Sequence, residues 1–457
     1  MSGLAHVFAQ APSPMRFLRL MGRMAAATAA AGAALAGATE AAAPDTASRW
    51  RLNGYGTLGV VHVDASPAGW GFTRDMSQPA QSGTLRAGID SRLGLQVNWQ
   101  ATTAVEFVAQ GVLRRQAPDA AASQRLDWAF AAWRPDADWT LRLGRTSPDV
   151  FLLADYRNVG FAFPWVRPNV EMYGFIAFQS LDGADLARRW QAGGADWKAK
   201  LSMGRNTTTQ PNARTGADGQ ALPGVELKSK DLVIATLSRE QGGLTVKATY
   251  ARTREQVDTT QQLAPLLGGL RQLAAAGVPG VSAEAATLAS AVDLSGFRAR
   301  YVAFGAELER AGWHLMVELS RTAGDAHDTN GLRGYVSAAY RLGSVTPFVM
   351  LGRAKPERGP FAVPQHWAAA LAPALGADAA AAAVQLGGAA AAIANTSRYG
   401  QRSLSLGARW DLGPQTALKL QADRYRVAPG ASGAWPGSNG FDGGRADLVS
   451  ATVDFVF

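Results

Sequence analysis

Apolar and polar residues alternate along most of the chain with a period of two. In residues 244–250, Leu, Val, Ala and Tyr alternate with Thr, Lys and Thr, and residues 313–320 repeat the pattern. Successive side chains of a β-strand point to opposite faces, so each run is predicted to be a strand with one apolar and one polar face. The pattern is typical of either a soluble sandwich or a membrane barrel with lipid outside and water inside.

The connections between the predicted strands separate these two possibilities, because short turns alternate with mostly long loops. A sandwich has no reason to place its long loops at one end, whereas outer-membrane barrels do so. A closed sheet also leaves no backbone group unpaired in lipid. We therefore predict an all-β, 16-stranded antiparallel transmembrane β-barrel. Its strands are predicted at 51–63, 84–99, 102–115, 124–134, 138–145, 183–191, 194–205, 229–240, 243–254, 295–309, 312–322, 331–342, 344–354, 399–411, 415–427 and 446–457.

The beginning of the chain has the features of a secretory signal peptide. Three arginines within residues 16–23 precede an apolar stretch of small residues at 24–38. We predict a signal peptide at 1–43, with Met15 as an alternative start, and a barrel domain at 44–457. After the signal peptide no run of about 18 apolar residues occurs, so no membrane-spanning helix is predicted.

The composition narrows the chemistry further. The 457 residues include no cysteine, which excludes disulfides, thiol catalysis and zinc–thiolate sites. GYGTLG at 54–59 matches a dinucleotide-binding fingerprint, but no helix follows it, so its glycines are interpreted as sites of strand curvature. The net charge of +9 comes from bases spread over many strands without a nucleic-acid-binding motif, so no nucleic-acid partner is predicted.

The five histidines show no metal-ligand spacing, and no metal site is predicted. His314 is expected to face the lumen, either as a solvated side chain or as the catalytic histidine of a barrel hydrolase. The chain has no G-x-S-x-G motif, which favours the solvated side chain.

The two ends and the third loop resemble Gram-negative general porins, which are trimeric 16-stranded barrels. The resemblance is carried by NGYGTLG at 53–59, the long loop at 146–182 and DFVF at 454–457. It implies short periplasmic turns, long extracellular loops, an inward-folded third loop, a place in the outer-membrane bilayer and a homotrimer. It also implies that the barrel-assembly machinery reads Phe457 as an assembly signal. The implied function is passive diffusion of small hydrophilic solutes and ions, without catalysis or a cofactor.

The loop at 146–182 is too rich in Phe, Trp and Tyr for a solvated linker, and we predict that it narrows the lumen. The side chains predicted to face the lumen include more bases than acids, which predicts a mild anion preference. Acids of the loop are expected to face arginines of the early strands and to set a transverse field across a narrow pore. The candidate pore-lining residues are Arg86, Arg92, Arg125, Arg142, Asp149, Asp155, Arg157, Arg167 and Glu171.

Two long Ala-rich extracellular loops, 255–294 and 355–398, depart from the porin pattern. Residues 261–276 are expected to form an amphipathic helix. Such helices would either plug the mouth of the barrel or cover a neighbouring barrel, and the sequence leaves both open.

The aromatic residues have two predicted roles. Those of the third loop either pack it against the wall or contact passing sugars, and packing is favoured because a loop in water needs apolar burial to stay in place. Tryptophans near the strand ends are interpreted as an interfacial girdle. The girdle residues are Trp99, Trp128, Trp139, Trp197, Trp313 and Trp410.

Three alternatives to a general diffusion channel remain open at this stage. The first is a substrate-specific channel for anionic or carbohydrate solutes. The second is an outer-membrane barrel hydrolase, and the third is an adhesin or structural barrel.

Overall fold

The computed structural model describes residues 49–66, 70–176, 178–212, 223–258, 260–325, 330–396, 398–436 and 443–457. The predicted signal peptide at 1–43 and the alternative start at Met15 lie outside these residues.

The described residues form seventeen strands, each antiparallel to its neighbours. The alternation of apolar and polar residues explains them, because each strand separates hydrocarbon from a polar interior. The strands are β1 Trp50–Ser66, β2 Gly83–Arg86, β3 Arg92–Gln100, β4 Val105–Arg114, β5 Leu126–Trp133, β6 Trp139–Thr146, β7 Leu181–Ala192, β8 Ala195–Gln210, β9 Val225–Gln241, β10 Leu244–Val257, β11 Phe297–Arg310, β12 Trp313–Gly324, β13 Gly331–Tyr340, β14 Val345–Pro356, β15 Gln401–Gly413, β16 Thr416–Val427 and β17 Gly444–Val456.

Sixteen of these strands close into a ring. From β3 to β17 each strand pairs with the next, and β1 pairs with both β3 and β17. The ring is closed by Gly54 and Phe457, whose backbone groups exchange hydrogen bonds of 2.9 and 3.0 Å. The predicted 16-stranded antiparallel barrel is confirmed.

The short strand β2 pairs with β1 and is not a member of the ring. The predicted strand at 84–99 is therefore corrected to two strands, β2 and β3. The interruption is local, because a turn at residues 87–91 carries the chain from β2 to β3.

The outer face of the ring is apolar. On β12, Met316 and Glu318 are buried inside the barrel, whereas Leu319 points outward and is 58% exposed. Phe304 on the neighbouring β11 is also outward and 50% exposed. Large apolar side chains exposed around a closed barrel indicate contact with hydrocarbon. The protein is thus a multi-pass β-barrel of the outer-membrane type.

Aromatic side chains ring the outer face at the end that carries the short turns. Trp50 stacks on Trp99 with ring centroids 5.5 Å apart, and Trp313 lies 4.8 Å from Tyr340. This matches the predicted interfacial girdle. Trp128, which was predicted for the same girdle, points inward because a β-bulge next to Gln110 changes the alternation.

In the part of the chain that the structure describes, five helices lie in the long loops. The first, α1, is the single turn Val170–Tyr173 within the third loop, and the predicted helix at 261–276 is confirmed as α2. Helices α2 to α5 lie in the two long Ala-rich loops, the fifth (255–294) and the seventh (355–398). They are α2 Thr260–Ala275, α3 Ser282–Val292, α4 Trp367–Leu375 and α5 Ala377–Thr396.

Helices α2 to α5 pack together around one apolar cluster, and we call them the helical cap. Leu270 of α2, Leu288 of α3 and Trp367 of α4 are fully buried in it. By length and composition, α5 is the one helix among the described residues that could cross a membrane. Its Ala390 and Ala391 are buried in the same cluster, so the cap joins two loops that are distant in sequence.

Candidate functional site: a loop inside the barrel

The chain between β6 and β7 folds into the barrel, as the sequence predicted. Three of its groups contact inward-facing side chains of widely separated strands. The backbone N–H of Leu152 donates to Glu318 at 2.8 Å, and the indole N–H of Trp165 donates to Ser337 at 2.7 Å. On the other side of the loop, the backbone N–H of Val166 donates to Gln421 at 2.9 Å. The loop therefore spans the lumen from β12 to β16.

The start of the loop is fixed to the wall by Asp149. Its carboxylate forms ion pairs with Lys247 of β10 and, at 3.5 Å, with Lys200 of β8. Burial would raise the pKa of Asp149, but the two ammonium groups hold it well below its usual range. Lys247 also donates to the carbonyl oxygen of Phe151 at 2.6 Å, so the same lysine holds both a side chain and the backbone of the loop.

The middle of the loop is fixed by Lys419 of β16. Its ammonium group donates to the carbonyl oxygens of Gly160 and Trp165 at 2.5 and 2.8 Å. It also lies 3.0 Å from the carboxylate of Asp454 on β17. A Cβ atom at Gly160 would lie 2.0 Å from an oxygen of Asp454, so only glycine allows the backbone to approach the wall this closely.

Arg167 occupies the centre of a buried charge cluster. Its guanidinium pairs with Asp90 at 2.6 Å and with Asp423 at 2.7 Å, and it donates to the hydroxyl of Ser450 at 2.5 Å. Burial opposes the charged form, but the two carboxylates raise the pKa of Arg167 above its usual value. The guanidinium can satisfy both acids because it presents several donors in one plane.

Glu171 lies on α1 and faces the wall at β15. Its carboxylate accepts hydrogen bonds from Gln401 at 2.8 Å, Ser403 at 3.0 Å and Asn169 at 2.7 Å. Asn169 also caps the helix, because its side-chain oxygen accepts the N–H of Met172 at 3.1 Å. Burial raises the pKa of Glu171, although its three donors partly oppose that shift.

Arg157 holds the loop to itself. It is buried and donates to the carbonyl oxygen of Phe178 at 3.0 Å, near the other end of the loop. Its guanidinium lies over the ring of Phe151, 5.7 Å from the centroid. Burial lowers the pKa of Arg157 to about 10.

Asp155 is the one predicted loop acid that is exposed. Asn98, Arg189 and Lys198 are among the lumen-facing side chains of β3 to β8 that keep solvent exposure. The open part of the lumen therefore lies between Asp155 and these strands, whereas the loop covers the wall from β12 to β17.

Arg142 is the predicted wall residue nearest the start of the loop. It faces the lumen and is paired with Asp185 of β7, with a shortest distance of 2.8 Å. Asp185 was not among the predicted site residues. Its position in a strand of alternating pattern, between Ala184 and Leu186, was the signal that could have identified it.

The other predicted arginines have different positions from those expected. Arg92 is on β3 but is buried, and its guanidinium donates to the carbonyl oxygen of Asp90 at 2.9 and 3.1 Å. Arg86 and Arg125 were predicted to lie on strands of the wall. The structure places Arg86 on β2 and Arg125 in a single 3-10 turn, Ala122–Arg125, and both are exposed. The chain leaves the ring at these points, so alternation along a strand does not apply to them.

His314, the histidine of the hydrolase alternative, faces the lumen. Its Nε2 lies 2.7 Å from a carboxylate oxygen of Glu307 and 3.8 Å from Glu309. Its ring lies 5.9 Å from that of Trp165. The side chains of His314, Glu307 and Glu309 could hold a cation, since their ligand atoms lie within 4.8 Å of one another. Among the described residues, no hydroxyl group is hydrogen-bonded to His314 as a nucleophile would be.

Comparison with known proteins gives fold similarity at low sequence identity. No protein-family model matches the chain, and no curated protein matches it by sequence. The outer-membrane channel DcaP of Acinetobacter baumannii is 12% identical, with 89% of this chain and 97% of that chain covered and a TM-score of 0.49. An anion-selective porin from Comamonas acidovorans is 11% identical, with 89% and 99% covered and a TM-score of 0.47. OmpF of Salmonella typhi, in complex with daunomycin, is 13% identical, with 89% and 97% covered and a TM-score of 0.47.

Proposed function

We propose that the protein is an outer-membrane porin, a passive diffusion channel for small hydrophilic solutes and ions with a mild preference for anions. The observation that carries the proposal is the loop between β6 and β7, which is fixed inside the lumen by buried ion pairs and leaves one side of it open. Such a loop sets a fixed pore radius. Selectivity then comes from that radius and from fixed charge, and no catalytic step or cofactor is needed.

The exposed charges of the open side support the anion preference. Arg189 and Lys198 face the lumen with some exposure, and Asp155 is the exposed acid of the loop. Most other charges of the proposed pore lining, such as Asp149 and Arg167, are neutralised by partners. The permeating ion would therefore experience a small excess of positive charge rather than the full basic composition.

Assembly as a homotrimer in the bilayer is part of the proposal. The outward residues of β17 have short side chains that do not protrude beyond the side chains around them. They are Val449, Ala451 and Val453. A flat apolar face of this kind supports close contact between barrels. Phe457, proposed as the residue that the barrel-assembly machinery reads, is 43% exposed on the outer face.

Recording in planar bilayers tests the channel. Purified, folded protein should give long-lived, ohmic conductance steps, and reversal potentials in a salt gradient should show weak anion selectivity. A variant with residues 149–171 shortened should conduct more and admit larger solutes. Absence of conductance from folded protein would refute the channel, and clear cation selectivity would refute the anion preference.

A substrate-specific channel is the second candidate, and one observation favours it. A cavity of about 240 Å³ lies inside the barrel and is lined mainly by apolar side chains, among them Ile176, Phe178 and Tyr301, with the carboxyl group of Glu255 at its edge. A solute that binds there would interrupt the current. Brief blockades by carbohydrates or aromatic acids, lost on Phe178→Ala, would favour this candidate over general diffusion.

A further inference from the structure

The outer face changes from apolar to basic at the end that carries the long loops. On β11 the outward positions pass from Phe304 and Val302 to Arg300 and Arg298. On β10 they pass from Tyr250 to Arg252 and Arg254. The opposite end of the barrel carries the aromatic girdle. The outer face is therefore basic at the membrane–water interface near the long loops and aromatic at the interface near the short turns.

The register between β10 and β11 places four arginines in a square. Arg252 is directly opposite Arg300, and Arg254 is directly opposite Arg298. Directly opposed residues have Cβ atoms about 4.5–5.5 Å apart, and like charges at that spacing destabilise a sheet. We call these four residues the arginine square. Four like charges on one patch of the sheet favour the binding of an anion between them.

The acids nearby do not neutralise the square. It lines an outward hollow of about 1450 Å³ together with three other bases and three acids. Of these acids, Asp182 is paired with Arg145 at 2.5 Å, and Asp231 lies 3.9 Å from Arg254. Asp325 accepts a hydrogen bond from the backbone N–H of Arg298 at 3.3 Å. Among the described residues, the guanidinium groups of Arg252, Arg298 and Arg300 have no ion-pair partner.

We infer that the arginine square binds the phosphate groups of an anionic lipid in the membrane leaflet at the loop end. Guanidinium groups match phosphate oxygens in a two-point geometry. The lipid is favoured over a free solute because the square directly adjoins the hydrocarbon-facing surface, where Val302 is 54% and Met203 is 55% exposed. Acyl chains on that surface would hold a phosphate headgroup at the height of the square. This inference does not depend on conduction through the lumen.

Lipid binding to the purified full chain in a zwitterionic detergent tests the inference. Phosphatidic acid is the probe, phosphatidylcholine is the uncharged-headgroup comparison, and bound lipids are counted by native mass spectrometry. We expect phosphatidic acid to bind at least tenfold more tightly than phosphatidylcholine. The double variant Arg252→Gln/Arg300→Gln should lose at least fivefold of that affinity, whereas Arg252→Lys/Arg300→Lys should lose less, because it keeps the charge.

Two outward arginines at the turn end, Arg239 and Arg310, provide the matched control. Arg239→Gln/Arg310→Gln removes the same charge from the same face and should leave the affinity unchanged. An equal loss in this control, or an unchanged affinity in the glutamine variant of the square, would overturn the inference. Inorganic phosphate that displaces the lipid at equal concentration would also overturn it, in favour of a free-phosphate site. Circular dichroism confirms folding, and Arg300→Gln alone is used if the double variant does not fold.

Discussion

Arg167 and Asp90 form a two-point ion pair in the interior of the barrel, with distances of 3.1 Å from Nε to Oδ1 and 2.6 Å from Nη2 to Oδ2. Arg167 belongs to the loop, and Asp90 belongs to the segment before β3. The guanidinium also pairs with Asp423, so one side chain of the loop bridges two acids, and Asp90 lies in addition 3.5 Å from Arg74. The position of the loop in the lumen therefore depends on a charge whose removal would leave the buried carboxylate of Asp423 without its cation.

Replacing Arg167 by glutamine should destabilise the protein and release the loop. Removing one partner of a buried ion pair costs about 3–5 kcal/mol, because the remaining charge stays buried without compensation. Urea unfolding in detergent should show a loss of this size. The single-channel conductance should rise, since a detached loop no longer narrows the lumen.

Arg145 is the matched control for this variant. It forms an equally close pair with Asp182, at 2.5 and 2.7 Å, but it points outward and is partly exposed. Exposed ion pairs contribute about 0–1 kcal/mol, so Arg145→Gln should change stability and conductance little. If both variants lost the same stability, the buried cluster would have no special role in holding the loop.

The Asp149 anchor should give the protein an acid-dependent stability. The pKa of this carboxyl is depressed in the folded state by Lys247 and Lys200, so its contribution is fully present above the unfolded value of about 3.9. It is lost as the pH falls through the lower, folded value. Asp149→Asn should therefore cost about 2 kcal/mol at pH 7, the contribution of a hydrogen bond to a charged group.

Unfolding measured over a pH series checks the sign of this effect. The difference in unfolding free energy between wild type and Asp149→Asn should be constant from pH 7 to about pH 5 and should shrink below about pH 4. A difference that grows on acidification would contradict the assignment.

The barrel and the inward loop could be predicted from the sequence because their causes are local. Alternation over residues 313–320 follows directly from strand geometry, and it correctly places Glu318 inside. The aromatic content of the third loop indicated burial, and Trp165 is fully buried. The outward position predicted for Trp128 was wrong, because a single β-bulge reverses the alternation of inward and outward side chains. No residue type in the sequence marks that bulge clearly.

The partners of the loop charges could not be predicted in the same way. Arg167 pairs with residues that are 77 and 256 positions away in sequence, and alternation along one strand carries no information about contacts across a lumen. The sequence suggested that Asp149 and Glu171 face arginines across an open pore. Instead each is buried against the nearest wall, where a buried carboxylate must find donors or cations.

The exposed charges of the open lumen should control ion selectivity. A unit charge about 7 Å from an ion in water contributes about 0.6 kcal/mol, which screening reduces to roughly a twofold effect on permeability. Asp155→Asn should therefore raise the anion-to-cation permeability ratio about twofold, and Lys198→Gln should lower it by a similar factor. Asp231→Asn, which removes the same charge from the outer face, is the control for reversal potentials. An equal shift in that control would mean that the measurement reports surface charge and not the lumen.

The helical cap should behave as one folding unit although two loops build it. Trp367 of α4 is fully buried among helices from both loops, and its indole N–H donates to Glu284 of α3 at 2.8 Å. Trp367→Ala should cost about 3–5 kcal/mol of local stability, seen as faster hydrogen exchange in α3 while the barrel strands keep their protection. Leu375→Ala on the same helix is the control, because Leu375 is 54% exposed and its truncation should change stability by less than about 0.5 kcal/mol. Unchanged hydrogen exchange in α3 after Trp367→Ala would show that the fifth and seventh loops fold independently. The loss of the indole would then destabilise only the seventh loop, which contains Trp367.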